Sequence, residues 1–188
     1  VFDSLMTLGF DYPPRSKFFR SELEHFLLLA REVDIDISSI KGSYAGAMGM
    51  PQFISSSYRA YAIDFDGDGQ RNLWDNTADV IGSVANYFKK HGWRRGADVV
   101  QRARVKQKPE EVTRTKLKPH TSIGDFRQQG VITDKAYADD VMATLVTLEG
   151  DDGTEYWLGL ENFYVITRYN HSALYAMAVY QLSQELEK

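Results

Sequence analysis

The chain has 188 residues, 43% of them apolar and 26% charged, which is ordinary for a globular protein with a sizeable core. Its formal net charge of −4 argues against a nucleic-acid partner, which calls for an excess of Lys and Arg against phosphate. There is no Cys, which excludes disulfides and thiolate chemistry, and no apolar run of the roughly 18 residues that a membrane span needs.

Taken in chain order, Ser21 and Glu24 have the spacing of a capping box. Leu23, Phe26, Leu27 and Ala30 follow on one face of a predicted amphipathic helix. A second helix is predicted from about Pro51, a residue suited to a first turn. A third runs from about Ala78, with Val80, Val84, Tyr87 and Phe88 in step, and stops at Gly92. Beyond residue 97 the pattern changes. Met142–Leu148 and Thr154–Leu160 read as strands, and Glu149–Gly153 between them supplies turn chemistry, so a hairpin is predicted. Residues 102–118 read as one or two further strands. They carry Arg102, Arg104, Lys106, Lys108, Arg114, Lys116 and Lys118, either a plain solvated face or a contact for an anionic polymer. Ser172 is placed to cap a last helix with Leu174, Met177 and Ala178 on one face. The predicted fold class is α+β, mainly α. A helical core is built from residues 1–96 and 166–188, with a small β-rich lobe, 97–165, inserted between them.

Two segments carry chemistry. In Asp64-Phe65-Asp66-Gly67-Asp68-Gly69-Gln70-Arg71-Asn72-Leu73-Trp74-Asp75, acidic oxygens at positions 1, 3 and 5 and Gly at 6 match a calcium loop of EF-hand type. Such close carboxylates repel one another unless a hard cation neutralises them. Gln70 would offer its backbone carbonyl. Arg71 stands where an aliphatic residue is usual, and position 12 is Asp75 instead of Glu. A single loop suits a structural clip better than a paired sensor or a dockerin. The second segment is Lys41-Gly42-Ser43-Tyr44-Ala45-Gly46-Ala47-Met48-Gly49-Met50-Pro51-Gln52-Phe53. Its small residues let backbone approach a ligand, and Ser43 and Gln52 offer hydrogen-bonding groups. It lacks the Gly-Lys-Ser/Thr of a phosphate cradle.

The stretch from Ser43 through Gln52-Phe53 resembles the Gly-Ala-Met-Gly-x-x-Gln-Phe segment of the lysozyme-like lytic transglycosylases. Ser55–Tyr58, the loop Asp64–Asp75, Gly82–Phe88 with Gly92-Trp93, and Asn162–Asn170 with Tyr175–Val179 are similar to the B type of that family. The resemblance covers nearly the whole chain and implies a lysozyme-like helical core. It implies cleavage of the β-1,4 bond between N-acetylmuramic acid and N-acetylglucosamine in peptidoglycan glycan strands and muropeptides, with a 1,6-anhydro product. It also implies a periplasmic setting, with outer-membrane anchoring through a preceding region as a further expectation. In the family one Glu serves as acid and then base. Its Glu-Thr-x-x-Gly segment is expected upstream of Val1, so no catalytic residue is assigned and the chain alone is expected to be inactive. Glu22 and Glu24 are expected to be solvated or capping.

By the same resemblance Ser43 and Gln52 would bind the sugars, Tyr87, Tyr169 and Tyr175 would line the groove, and Asn170 would orient a polar group. The metal would be a structural Ca²⁺ held by Asp64, Asp66, Asp68 and Gln70. Asp79 in the following helix would close a loop of 64–79, with Asp75 as runner-up. A non-catalytic, calcium-stabilised peptidoglycan-binding module is the alternative reading.

Overall fold

The computed structural model describes residues 1–106 and 116–188, and they form two compact units, Val1–Lys90 and His91–Lys188. Lys108 and Arg114 of the basic stretch lie outside the described residues.

The first unit is helical: α1 (Phe2–Phe10), a 3-10 turn (Pro13–Arg15), α2 (Ser16–Glu32), α3 (Ser55–Tyr61) and α4 (Thr77–Lys90). Pro13 and Pro14 break the chain between α1 and α2, since neither can continue an α-helix from within. α2 therefore starts at Ser16, and Ser21 lies inside it; the expected capping box does not form. Phe19, Leu23, Phe26 and Ala30 recur at helical spacing and are buried, together with Leu5 of α1. α2 stops at Glu32; two residues on, Asp34 stands at φ +51, and the Ile35 N–H reaches back to the Ala30 carbonyl at 3.0 Å. That is the Schellman stop, with Asp where Gly is usual. Glu22 is only 4% exposed, and its carboxylate accepts the Ser56 N–H of α3 at 3.0 Å. It is a capping group and not a solvated one, and it ties α3 to α2.

The helix predicted near Pro51 starts four residues later, at Ser55. Gln52 sits at φ +53, a left-handed conformation that no helix can pass through. Tyr58 of α3 is fully buried, and its hydroxyl donates to the Arg71 carbonyl in the segment before α4.

The second unit holds an antiparallel sheet in the order β2-β4-β5-β1-β3. Its strands are β1 (Val100–Val105), β2 (Thr121–Ser122), β3 (Val131–Thr133), β4 (Met142–Gly150) and β5 (Gly153–Gly159). The predicted hairpin is β4–β5: Leu145 faces Leu158 and Gly150 faces Gly153, so the loop is Asp151-Asp152 alone. Gly153 at φ +110 makes that tight reversal possible. α5 (Ile123–Gln128) places Ile123 and Phe126 against Ala103, Val131, Ala143, Leu158 and Leu160, forming this unit's core. α6 (Glu161–Tyr169) and α7 (Ala173–Leu186) follow, and Ser172 caps α7 by accepting the Tyr175 N–H at 3.2 Å, as predicted. Asn162 is buried at the start of α6 and holds the loop before the sheet. It accepts from the Arg94 N–H at 2.9 Å and donates to the Arg94 and Ala97 carbonyls at 2.8 and 2.9 Å. Among the described residues no helix is long and apolar enough to cross a membrane.

Burial pushes the Tyr58 hydroxyl up to about 12, so the folded chain holds that proton more tightly than the unfolded chain, whose ordinary value is 10.0. The resulting stability is fully present below about pH 10 and is lost as pH rises toward about 12. Tyr58→Phe, which leaves the Arg71 carbonyl unpaired, is expected to cost about 1–3 kcal/mol at neutral pH. It is also expected to flatten the alkaline loss in urea titrations; an unchanged midpoint at both pH values would remove Tyr58 as a tie.

Candidate functional site

The segment Gly42–Phe53 folds back on itself twice. Gly42 bridges Met48 and Met48 bridges Phe53, so the buried Met48 becomes the middle rung of three short extended pieces. The Ser43 N–H donates to the Ala47 carbonyl at 2.8 Å, and the Ser43 Oγ accepts from the N–H groups of Ala45 at 3.3 Å and Ala47 at 3.1 Å. The oxygen of Ser43 therefore shapes the turn. Gly46 at φ +82 lies against the Leu5 side chain, where a Cβ would come within 2.8 Å. Exposed Gln52 donates from Nε2 to the Gly49 carbonyl at 2.9 Å. Next to it, Phe53 is buried against Tyr87 of α4, with ring centroids 5.9 Å apart.

Tyr87 is itself only 8% exposed and packs edge-on against Tyr61 at 4.8 Å, so much of its ring supports the loop. Ser43, Gln52 and Tyr87 thus belong to the first unit. Half-buried Tyr169, exposed Asn170 and half-buried Tyr175, at the α6–α7 corner, belong to the second.

The acidic segment is a chain of turns closed on itself by side-chain acceptors. Asp64 takes the N–H groups of Gly67 at 2.6 Å, Asp68 at 3.1 Å and Gly69 at 2.8 Å, while Asp68 takes that of Gln70 at 2.8 Å. Asp79, in the first turn of α4, is wholly buried. Its Oδ1 accepts from Phe65 at 2.7 Å and its Oδ2 from Asn72 at 2.8 Å, joining both sides of the segment to the helix. Carboxylate oxygens of Asp64, Asp66 and Asp79 lie within 4.8 Å of one another. Asp68 and Asp75 stand outside that trio. An all-oxygen, triply acidic cluster is the donor chemistry of a hard divalent cation.

Asn76 was missed by sequence reasoning. Its Oδ1 accepts the Ala78 and Asp79 N–H groups at 3.0 and 3.2 Å, capping α4, and its Nδ2 donates to Asp66 Oδ2 at 2.8 Å. That amide holds the Asp66 carboxyl below its ordinary range. An Asn directly before Thr77 was the available signal. Arg71, anomalous for a calcium loop, has its guanidinium 4.0 Å from the Glu32 carboxylate at the end of α2.

Elsewhere, Arg102 pairs with Glu155 at 2.8 Å and stacks 5.4 Å from the Trp157 ring, and Arg104 pairs with Asp134. This end of the basic stretch is a paired surface. Two cavities, of about 580 Å³ at Glu32, Asp34, Arg71 and Trp74 and about 500 Å³ at Arg94, Asp98, Tyr137 and Asn162, do not take in Ser43 or Gln52.

The profile of the transglycosylase SLT domain matches residues 1–184. The membrane-bound lytic murein transglycosylase B of Escherichia coli (strain K12) is 50% identical over 184 residues. That alignment spans 98% of this chain and 50% of the relative. The chain thus spans about half the length of that protein. The catenated lytic transglycosylase SltB1 of Pseudomonas aeruginosa superposes with a TM-score of 0.93 at 58% identity, over 98% of this chain and 61% of that one. The Escherichia coli lytic transglycosylase Slt35, solved in complex with calcium, superposes with a TM-score of 0.88 at 49% identity, over 97% of this chain and 57% of its own. With its mixed helix-and-strand fold, its Gly42–Phe53 loop and its acidic segment, this chain belongs to the transglycosylase SLT domain family, the family of the lytic murein transglycosylases.

Proposed function

We propose that the chain is the glycan-binding portion of a peptidoglycan lytic transglycosylase. The observation that carries this reading is Gln52: a non-glycine residue at φ +53, exposed, in a loop whose neighbours are buried. Backbone strain of this kind costs about 1–3 kcal/mol and persists where surrounding structure imposes it, most often at ligand sites. Gln52 and Ser43 contact N-acetylated sugars of glycan strands or muropeptides, with Tyr87 behind them in the same unit; Tyr169, Asn170 and Tyr175 are proposed as sugar contacts on the second unit. The periplasm, where peptidoglycan lies, is the proposed compartment.

The acid–base Glu is not among these residues. The sequence contains no Glu-Thr-x-x-Gly segment, and the buried Glu22 is committed to capping α3. The 188-residue chain is therefore expected to bind muropeptides without releasing 1,6-anhydro products from murein sacculi. Chromatographic detection of those products from the purified chain would overturn this assignment. Gln52→Gly removes the strain and the amide together. It is expected to leave the melting temperature unchanged or raised, by about 1 kcal/mol of stability, while weakening muropeptide binding by roughly tenfold in calorimetry. Ser43→Ala is expected to weaken binding and also to lower stability by about 1 kcal/mol, since the Ser43 oxygen holds two N–H groups. Normal binding by both variants would displace the site from this loop.

The acidic segment is proposed as a structural Ca²⁺ site held by Asp64, Asp66, Asp68, the Gln70 carbonyl and Asp79. The cation would supply the positive charge that offsets the mutual repulsion of the clustered carboxylates. A chelator is expected to lower the melting temperature, and that drop should vanish in Asp64→Ala. It should also shrink further in Asp79→Asn than in Asp75→Asn, because Asp79 belongs to the trio within 4.8 Å. The opposite order would return the twelve-residue loop closed by Asp75, and an absent chelator effect in the unmodified chain would leave only an acidic turn.

A further inference from the structure

We infer that Leu73 is a positioning residue for glycan binding, through which calcium in the acidic segment sets the affinity of the Gly42–Phe53 loop for its sugar. The inference rests on the calcium and glycan readings proposed above. A seam of main-chain contacts joins the glycine-rich loop to the acidic segment, two stretches that are separate motifs in the sequence. The Met50 N–H donates to the Leu73 carbonyl at 2.9 Å. Beside it Gly49, at φ +66, lies so close that a Cβ would stand 2.5 Å from the same carbonyl oxygen. The Gly49 carbonyl then accepts both the backbone N–H of Gln52 at 3.2 Å and its side-chain amide at 2.9 Å. Gln52 is thus reached from Leu73 through one short run of main chain.

Leu73 is fixed by the acidic segment and by the core. Its side chain is wholly buried, and its neighbour Asn72 donates its N–H to Asp79. The opposite flank of the glycan loop is fixed by the same helix. Phe53 packs on Tyr87 of α4, and α4 carries Asp79 in its first turn. Both supports of Gln52 therefore converge on Asp79, one of the three carboxylates that lie within 4.8 Å of one another.

Without a cation, repulsion among Asp64, Asp66 and Asp79 loosens the stretch that ends at Leu73. A cation relieves it and orders that stretch. Gln52 holds its left-handed backbone only where its surroundings impose it, so a looser Leu73 carbonyl lets Gln52 relax away from its binding geometry. Gly49 has a matching role, because any side chain there drives the loop off the carbonyl. By linkage, sugar binding raises calcium affinity by the same factor.

The test is calorimetric titration of the 188-residue chain with a GlcNAc–MurNAc tetrasaccharide, in calcium and in chelator. The temperature is chosen so that circular dichroism reports a folded protein in both. Removing calcium is expected to weaken sugar binding at least about fivefold, and to speed hydrogen exchange at the Met50 amide. Gly49→Ala is expected to weaken sugar binding with calcium present, while retaining calcium binding. Equal sugar affinity in calcium and chelator would overturn the inference and leave calcium as a clip for stability, with the glycan reading intact. No sugar binding in either condition would overturn the glycan reading itself, and the inference with it. Should Gly49→Ala fail to fold, the two arms on the unmodified chain still decide.

Discussion

The first unit depends on the carboxylate of Asp79. A buried carboxylate is costly unless its oxygens are hydrogen-bonded, and here each oxygen has a backbone donor, Phe65 on one and Asn72 on the other. Those two donors lie on either side of a run containing Gly67 and Gly69 that has few apolar residues to pack. Pinned to α4 at two points, the run becomes a closed loop with a defined exit. That exit carries Arg71, whose carbonyl takes the Tyr58 hydroxyl, and Leu73, whose carbonyl takes Met50. Core packing, the acidic cluster and the glycine-rich loop are thus connected by backbone hydrogen bonds through one short stretch.

The glycine-rich loop gives up stability for geometry. Gln52 and not Gly occupies a left-handed position, although Gly would be the easier choice for the backbone. Ser43 serves the fold with its oxygen, which takes the Ala45 and Ala47 N–H groups, so removing it disturbs the shape of the loop. Tyr87 shows the same division, with its ring supporting Phe53 and Tyr61. The residues proposed to bind glycan also hold the loop in shape, so stability and affinity need to be read together for each variant.

Much of this was legible in the sequence where local chemistry decides. The β4–β5 hairpin followed from alternating β-branched residues around Gly and Asp, α7 from its Ser172 cap, and the acidic loop from its Asp and Gly spacing. Legibility failed where tertiary packing overrides local signals. Ser21 and Glu24 have the capping-box spacing, yet Pro13 and Pro14 had already set the helix start upstream, and burial of Phe19 extends α2 across Ser21. Pro51 looked like a first-turn residue, but the bridge from Met48 to Phe53 holds Gln52 left-handed and delays α3. α6 escaped notice because Phe163, Tyr164, Val165, Ile166 and Thr167 favour strands on propensity alone; burial of Phe163, Val165 and Ile166 makes them helical. Twelve-residue spacing alone points to Asp75, whereas the family resemblance points to Asp79, and it is Asp79 that lies with Asp64 and Asp66 in three dimensions. The Leu73–Met50 bond pairs residues remote in sequence and without side-chain chemistry, and no motif announces it.

On the proposed reading, the Gly42–Phe53 loop is where this chain meets glycan. The most direct measurement is a backbone and side-chain amide NMR titration with the GlcNAc–MurNAc tetrasaccharide, using isotope-labelled, calcium-loaded protein. The largest shifts are expected at the Gln52 side-chain amide and at the backbone amides of Ser43, Ala47 and Met50. Shifts confined to the Arg102–Arg104 face of β1 or to the cavity at Arg71 and Trp74, with this loop silent, would contradict the account.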